Sequence, residues 1–189
     1  EGLTWDGEFF WNADSLDNKI YKLDITGNII TSFNTPGTNP RGLTFGGGYL
    51  FNADFSSNEI YKLDTSGNII DSISLEYTPN GLTNNGTYLW CVDTTNDKIR
   101  RIYFSGDEID SFDNPLTFPR DIAFDGQYLW CVSGGDMKIY KLDRSKVITY
   151  IDSPRYDPQG LAFDGKNLWN TDRDEKKIYK LYSYLKPYL

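Results

Sequence analysis

The chain has 189 residues and a formal net charge of −8. Because a phosphate backbone is recognised by a basic surface, this charge disfavours nucleic acid and anionic membrane surfaces as partners. No apolar run approaches the roughly 18 residues of a membrane span. The chain has no histidine, which excludes Ser-His-Asp triads, Cys-His pairs and histidine-ligated zinc or copper.

A repeated unit of about 40 residues runs through the whole chain. Its clearest marker, Ile-Tyr-Lys-Leu, starts at residues 20, 60, 139 and 178, and the remaining copy reads Ile99-Arg100-Arg101-Ile102. An aromatic residue recurs in register at positions 11, 51, 90, 130 and 169, and Gly-Leu-Thr or a variant of it starts at 2, 42, 81, 121 and 160. Since one unit cannot bury its apolar face without neighbours, we predict a single domain. It spans residues 1–189, with repeats at 2–41, 42–80, 81–120, 121–159 and 160–189.

The second copy shows how one unit folds. It contains four short runs rich in Ile, Tyr, Phe and Leu, each ended by Gly, Asn or Asp, at 42–45, 49–53, 59–64 and 69–73. Such runs predict a four-stranded antiparallel meander, and none is long enough for a helix. Apolar residues occur at both odd and even positions of the middle strands, whose side chains point to opposite faces of the sheet. This predicts that both faces are covered. The sequence therefore predicts an all-β fold, a five-bladed β-propeller with four-stranded antiparallel blades.

The fifth copy decides how the propeller closes. Its first three predicted strands end at Leu181 and its last would come from residues 183–189, where Pro187 permits only an edge position. An outermost strand is an edge, so five blades remain compatible; the alternative is a larger propeller with further blades outside this sequence. The chain opens with Glu1 and shows no signal peptide, which indicates a mature product or a domain of a longer protein.

The repeat resembles NHL, YVTN and streptogramin-lyase-like propeller repeats over essentially the whole chain. The pattern is clearest in the segments Pro40-Arg41-Gly42-Leu43-Thr44-Phe45, Tyr49-Leu50-Phe51-Asn52-Ala53-Asp54, Asn58-Glu59-Ile60-Tyr61-Lys62-Leu63-Asp64 and Gly67-Asn68-Ile69-Ile70. The resemblance implies the propeller fold. It implies no single function, because these families include ligases, lyases, lactonases and binding domains.

The first copy is also similar to glutaminyl cyclotransferase propellers, through Gly2-Leu3-Thr4-Trp5 and Phe10-Trp11-Asn12-Ala13-Asp14. That resemblance implies a catalytic acidic residue on the strand containing residues 10–13. The matching residue here is Asn12, which cannot shuttle a proton. Streptogramin lyases rely on a histidine, which this chain lacks. Both departures count against either activity.

Three further series are interpreted as scaffold. Aspartate follows the second strand at positions 14, 54, 93 and 172, with Ser133 breaking the series. A carboxylate ring would suit a cation, but repetition in nearly every copy favours aspartates that cap their own turns. The aromatic markers are interpreted as packing between blades rather than ligand stacking. Cys91 and Cys131 are interpreted as buried apolar residues, since equivalent positions on neighbouring sheets usually lie too far apart for a disulfide.

One position varies where its surroundings repeat. Four copies begin with proline and a polar residue, and the first copy supplies Glu1 at the matching place. Proline fixes the chain as it enters the innermost strand, so the polar residue should line the mouth of the central channel, a usual place for ligand binding. The predicted ligand-binding residues are Glu1, Arg41, Asn80, Arg120 and Gln159. The alternative is a ring of solvated loop residues around a water-filled pore.

Two arginines in this ring suit a carboxylate, a sulfate or an acidic peptide. The sequence therefore predicts a non-catalytic recognition module without metal or cofactor, on an extracellular or cell-surface protein. Its expected partner is a protein, a peptide or a small polar or anionic ligand, or another domain of a longer chain.

Two alternatives stay open. An enzyme of the glutaminyl-cyclotransferase or lyase-like type would use Glu1, Glu8 or a loop aspartate, and predicts a carboxylate with a perturbed pKa inside the central cavity. A structural domain of a larger surface or filament assembly predicts an extensive blade face buried against a partner.

Overall fold

A computed structural model describes residues 1–181 as five antiparallel sheets, the blades of a β-propeller. Strands adjacent in sequence pair within each blade. No helix in residues 1–181 is long and apolar enough to cross a membrane. The strands are β1 (Leu3–Trp5), β2 (Phe10–Asp14), β3 (Lys19–Leu23), β4 (Ile29–Asn34), β5 (Pro40–Gly46), β6 (Tyr49–Asp54), β7 (Glu59–Leu63), β8 (Ile69–Ser74), β9 (Pro79–Asn84), β10 (Leu89–Asp93), β11 (Lys98–Ile102), β12 (Glu108–Asp113), β13 (Pro119–Phe124), β14 (Leu129–Ser133), β15 (Lys138–Asp143), β16 (Lys146–Asp152), β17 (Pro158–Phe163), β18 (Leu168–Asp172) and β19 (Lys177–Leu181).

The predicted five-bladed all-β architecture is confirmed. Blades 1 to 4 each contain four strands, and blade 5 contains β17, β18 and β19 within the described residues. The last strand predicted for blade 5, at residues 183–189, lies outside that part of the chain. The Ile-Tyr-Lys-Leu marker forms the third strand of the blades, in which Ile60 and Leu63 of β7 are fully buried while Tyr61 and Lys62 are half-buried.

The hydrophobic core lies between neighbouring blades. Between blades 1 and 2, for example, Trp11 and Ile20 pack with Leu43 and Leu50, and Phe33 from β4 packs against the edge of this cluster. Fourth-strand residues contribute in the same way to the next three seams: Ile73, Phe112 and Ile151. The cluster between blades 5 and 1 contains no fourth-strand residue from the described part of the chain. Because the core is shared between blades, no blade is stable without its neighbours.

Three of the five aromatic markers also hold the first turn of their blades. The indole Nε1–H groups of Trp11, Trp130 and Trp169 each donate a 2.7 Å hydrogen bond to an aspartate five residues earlier. In blade 1 that aspartate, Asp6, also accepts hydrogen bonds from the backbone of Glu8 and Phe9 at 2.9 and 2.7 Å. The predicted packing role of the markers is confirmed, with this added polar anchor.

The two cysteines are buried and are not joined by a disulfide, as predicted. Burial raises the pKa of both the Cys91 and the Cys131 thiol. Both therefore stay protonated and act as small apolar core residues.

Candidate functional site

The innermost strand of each blade brings the predicted ring residues to one end of the central channel. Pro40, Pro79, Pro119 and Pro158 are buried and begin β5, β9, β13 and β17, and the polar residue follows at the second position. Glu1 lies just before β1. Because innermost strands of neighbouring blades contact one another around the axis, the five side chains share one rim.

The five predicted residues contact each other or the adjacent blade. Arg41 Nη1 lies 2.9 Å from Glu1 Oε2, joining blades 2 and 1. Arg120 Nη1 donates to Gln159 Oε1 at 3.1 Å, joining blades 4 and 5. Asn80 Nδ2 donates to the backbone carbonyl of Pro119 at 3.0 Å. The structure therefore brings all five together, and their binding of a ligand stays a prediction.

Two residues that the sequence interpretation missed connect these pairs. Arg173 Nε donates to Asp157 Oδ2 at 2.7 Å, and its Nη1 lies 3.8 Å from Glu1 Oε1. Asp157 Oδ1 accepts from Gln159 Nε2 at 2.6 Å and lies 3.9 Å from Arg120 Nη2. The result is a row of alternating charges, called the mouth network below, which consists of Arg41, Glu1, Arg173, Asp157 and Arg120.

A second variable position in the repeat would have revealed Arg173. The residue that follows the end of the second strand differs in every copy: Ser15, Phe55, Thr94, Gly134 and Arg173. Ser15 Oγ donates to Glu1 at 3.1 Å, and the Arg41 guanidinium lies 5.5 Å from the centre of the Phe55 ring. A Cβ atom on Gly134 would lie 2.4 Å from Arg120 Nε. This second variable series therefore packs against the first.

The aspartates at the ends of the second strands cap turns, as predicted. Asp54 Oδ1 accepts from the backbone N–H groups of Ser56 and Ser57 at 3.0 and 2.9 Å. Asp14, Asp93 and Asp172 accept turn N–H groups in the same way. Asp172 also accepts the backbone N–H of Asp157 at 2.9 Å, which fixes one member of the mouth network. Within residues 1–181, no group of three or more Asp, Glu or Cys side chains is placed to hold a metal ion.

Asn12, which matches the catalytic acid of the cyclotransferase propellers, has a structural role here, and Glu8, which the enzyme alternative would use, lies away from the mouth network. Asn12 Nδ2 donates to the backbone carbonyl of Gly2 at 2.9 Å, and Asn52 and Asn170 make the same bond in their own blades. Asn12 is therefore a repeated structural residue. Glu8 is exposed in the turn after β1, at the opposite end of that strand from Glu1.

A cleft of about 620 Å³ extends from the mouth along the seam between blades 1 and 5. Glu1, Gln159 and Arg173 line it at the mouth, and the exposed side chains of Leu16, Ile25 and Ile29 contribute apolar surface. This volume lies in the range of small-molecule and peptide sites. The opposite end of the channel opens into a smaller cavity of about 110 Å³.

Asp121 occupies the centre of the channel below the mouth. Its Oδ1 accepts the backbone N–H of Leu82 at 3.1 Å and its Oδ2 that of Leu161 at 2.9 Å. Leu82 and Leu161 belong to the innermost strands of blades 3 and 5, so the carboxylate sits where strands of different blades converge. Burial raises the pKa of Asp121 to about 7, although hydrogen bonds from surrounding backbone N–H groups lower it.

The fold relates this chain to propellers of several functions. Glutaminyl cyclase from Myxococcus xanthus matches with a TM-score of 0.84 at 11% identity, covering 96% of this chain and 89% of the cyclase. Virginiamycin B lyase from Staphylococcus aureus matches at 0.61 with 26% identity, covering 95% of this chain, which spans only 64% of the lyase. The crystal structure of a nidogen–laminin complex contains a chain that matches at 0.67 with 18% identity, covering 95% and 74%. No protein-family model and no curated protein sequence matches.

These comparisons define the class of the protein as a β-propeller with cyclase-, lyase- and NHL/YVTN-like relatives in fold. They confirm the resemblance predicted from the repeat. At these identities the likeness concerns the scaffold, and the functions of the neighbours differ from one another.

Proposed function

We propose that this chain is a non-catalytic recognition module that binds an anionic group of a peptide or protein partner at the channel mouth. One observation carries the proposal: the arginines of the mouth network face solvent more than its carboxylates do. The side chains of Arg41, Arg120 and Arg173 are 24%, 29% and 45% exposed, whereas those of Glu1 and Asp157 are 8% and 14% exposed. An approaching ligand therefore meets guanidinium groups first.

The internal ion pairs leave donors for such a ligand. A guanidinium carries five N–H groups, and each bond within the mouth network engages one or two of them. Arg120, for example, contacts Gln159 through Nη1 and Asp157 through Nη2. The internal pairs hold the arginines in place, which reduces the entropy lost when a carboxylate binds.

The cleft beside the mouth supports a peptide over a lone ion. It begins at Glu1 and Gln159 and also includes the exposed side chains of Leu16, Ile25 and Ile29, so a chain that follows the anionic group has an apolar surface to cover. One structural neighbour comes from a complex between two proteins, nidogen and laminin, which is consistent with a propeller that serves protein recognition.

Titration with an acetylated hexaglutamate peptide tests the proposal, followed by isothermal calorimetry or by NMR shifts. We expect wild-type protein to bind and the Arg41→Ala/Arg120→Ala variant to lose about tenfold or more in affinity, the scale of two charge-assisted contacts. Arg101→Ala is the matched control, because Arg101 is also 28% exposed but pairs with Asp110 on blade 3. Failure of wild type to bind, or equal affinity of the double variant, would contradict the proposal.

A second candidate is a propeller enzyme that uses a carboxylate, and Asp121 is the observation that favours it. Its pKa of about 7 suits a general acid or base. Asp121 is, however, 2% exposed and both of its oxygens accept backbone N–H groups, so a substrate has no direct path to it. Mass spectrometry of a peptide with N-terminal glutamine, incubated with wild type and Asp121→Asn, distinguishes the candidates. Ammonia loss with wild type alone would favour the enzyme; an unchanged peptide favours the recognition module.

A further inference from the structure

We propose that the seam between blades 5 and 1 is a docking groove for one extended β-strand of a partner protein. The strand adds to blade 5 beside β19 and inserts one large apolar side chain over Gly27. The groove is the part of the cleft farthest from the mouth network, where the turn at residues 24–28 follows β3. The inference goes beyond the proposed function, because the groove recognises a strand by its backbone and one apolar side chain, with or without an anionic group at the mouth.

In two other seams, a fourth-strand side chain lies over the glycine of the equivalent turn. A Cβ atom on Gly67 would lie 2.6 Å from the ring of Phe33 in β4, and one on Gly106 would lie 2.6 Å from Cγ2 of Ile73 in β8. Gly27 is the equivalent residue of blade 1, and a Cβ atom there would meet no atom of residues 1–181 within 4 Å. The repeat therefore indicates that a side chain belongs over Gly27, and no described residue supplies it.

The side chains that border this place are less covered than their counterparts in other blades. Leu23 is 8% exposed, whereas the equivalent residues are at most 1% exposed: Leu63, Ile102 and Leu142. Ile178 is half-buried, whereas its counterparts are fully buried: Ile20, Ile60, Ile99 and Ile139. β19 pairs with β18 on one side, and no strand of residues 1–181 pairs with its other edge. A strand edge beside an apolar groove suits an added β-strand, which binds through main-chain hydrogen bonds and a side-chain pocket.

The repeat also defines the chemistry of the side chain that fits the groove. The residue that fills this place in the other four seams is large and apolar: Phe33, Ile73, Phe112 and Ile151. It lies nine or ten residues after the last buried residue of its third strand. The same spacing from Leu181 leads to position 190 or 191, so the repeat assigns none of residues 1–189 to the place over Gly27.

Continuity with the mouth favours a partner strand as the occupant. The groove belongs to the same cleft as Glu1 and Arg173. A strand antiparallel to β19 runs towards the mouth, as β4 does beside β3 in blade 1. A polypeptide partner that is held at the mouth therefore reaches the groove without leaving the cleft.

Fluorescence anisotropy on the full chain tests the inference, with a labelled and end-blocked peptide that has the uncharged sequence of residues 27–35 and so contains β4. We expect wild type to bind it and Ile29→Glu in the protein to bind at least about tenfold more weakly, because Ile29 lines the cleft and the strand would desolvate the new charge. Ile69→Glu is the matched control with wild-type affinity, since Ile69 is the equivalent, similarly exposed residue of blade 2 and lies outside the cleft. A peptide with Phe33→Asp should also bind at least about tenfold more weakly, because its acidic group would be buried over Gly27.

Amide hydrogen exchange of β19 locates the added strand and separates the possible occupants. Bound peptide should slow the exchange of these amides, because carbonyl groups of the added strand accept their hydrogen bonds. Slow exchange of β19 without peptide, together with no binding, would assign the groove to residues 183–189, the segment predicted to form the last strand, and overturn the proposal. A wild-type dimer in sedimentation that Ile29→Glu dissociates would assign the groove to a second copy of this chain and overturn it too.

The remaining outcomes are equally decisive. If wild type does not bind the peptide, or if both protein variants and the Phe33→Asp peptide bind as wild type does, the groove does not recognise a strand. Either result leaves the arginine-dependent binding of hexaglutamate unaffected, so this inference and the proposed function fail separately.

Discussion

At the scale of single residues, small changes within the repeat separate scaffold from site. Glycine is kept next to the axis in four copies because neighbouring backbones lie where its Cβ would stand, and the copy that breaks this rule places Asp121 at the centre. Gly134 similarly lets the Arg120 side chain pass over it. Residues that depart from the repeat therefore set the charge of both the channel and its mouth.

Asp121 should make stability depend on pH in the opposite sense to a solvent-exposed ion-paired aspartate. Its folded-state pKa of about 7 lies above the unfolded value of about 4. The folded state thus holds this proton more tightly, so the stabilisation is complete below about pH 4 and is lost as pH rises through about 7. We expect the free energy of unfolding of wild type, relative to Asp121→Asn, to fall between about pH 5 and pH 8.

Urea unfolding at several pH values measures this difference, and subtraction of the variant removes the titration of groups that do not interact with Asp121. The buried α-ammonium group of Glu1 does interact with it: burial lowers the pKa of that group and the Asp121 carboxylate raises it. Cys131, which interacts electrostatically with Asp121, has a raised pKa and stays neutral over this range. A difference that is flat or that rises with pH would show that backbone N–H groups outweigh burial at this site.

At the scale of single elements, each strand keeps its sequence because each blade meets the same neighbours. The third strand shows which of its positions tolerate a different residue. In β3, Tyr21 donates its hydroxyl to Asp17 at 2.7 Å. In β11 the matching Arg100 instead contacts Asp93 at 2.7 Å and lies 4.4 Å from the centre of the Tyr77 ring. The strand survives because Ile99 and Ile102 still fill the core.

The turn between the first two strands of a blade should contribute measurably to stability through its aspartate. Asp125 accepts the backbone N–H groups of Gln127 and Tyr128 at 2.9 and 2.7 Å and the indole N–H of Trp130 at 2.7 Å. Asp125→Ala leaves these donors without their partner, and we expect a loss of about 1–3 kcal/mol in the free energy of unfolding. Chemical denaturation measures it.

Asp107→Ala is the control for that loss, because Asp107 is exposed and accepts a side-chain hydrogen bond from Ser105; we expect an effect within about 0.5 kcal/mol. Burial raises the pKa of Asp125, but the N–H donors and Lys141 bring it below the ordinary value. The stabilisation should therefore be present at neutral pH and lost as pH falls through that folded-state pKa. Equal losses for both variants would show that the turn aspartate has no special role.

At the scale of the whole molecule, residues 1–181 contribute unequally to the five seams. Four seams include a fourth-strand residue, and the seam between blades 5 and 1 has none within residues 1–181. Ile178 and Leu181 of β19 are half-buried, whereas their counterparts in β11 are buried. Polar contacts from Arg173 and Thr171 to Glu1 contribute to this seam.

Local opening should begin at β19, because its Ile178 and Leu181 are half-buried whereas the matching residues of β11 are buried. Amide hydrogen exchange follows the local free energy of opening, which is lowest where few apolar groups are buried. We expect backbone amides of β18 and β19 to exchange faster than those of β10 and β11, measured by mass spectrometry of peptic fragments. Uniform protection around the ring would mean that the blades open as one cooperative unit.

The sequence by itself determined the five blades, the meander within each blade and the candidate ring at the mouth. These features depend on the spacing of the repeat and on apolar patterns within each copy. Because the same pattern occurs five times, the copies support one interpretation. The ring could be predicted from the sequence because proline marks the same end of four innermost strands and the repeat places Glu1 at the fifth equivalent position. The predicted residues are Glu1, Arg41, Asn80, Arg120 and Gln159.

Only the tertiary structure decided how these residues combine. Glu1 and Arg173 lie at opposite ends of the described chain and meet because the ring closes, and Asp157 reaches them because Asp172 holds its backbone. In the sequence, Asp121 is only a variant of the Gly-Leu-Thr marker, and its position on the propeller axis follows from the packing of the innermost strands. A repeat records the environment that every blade shares; contacts across the axis depend on which blades face each other, and that is set by closure of the whole propeller.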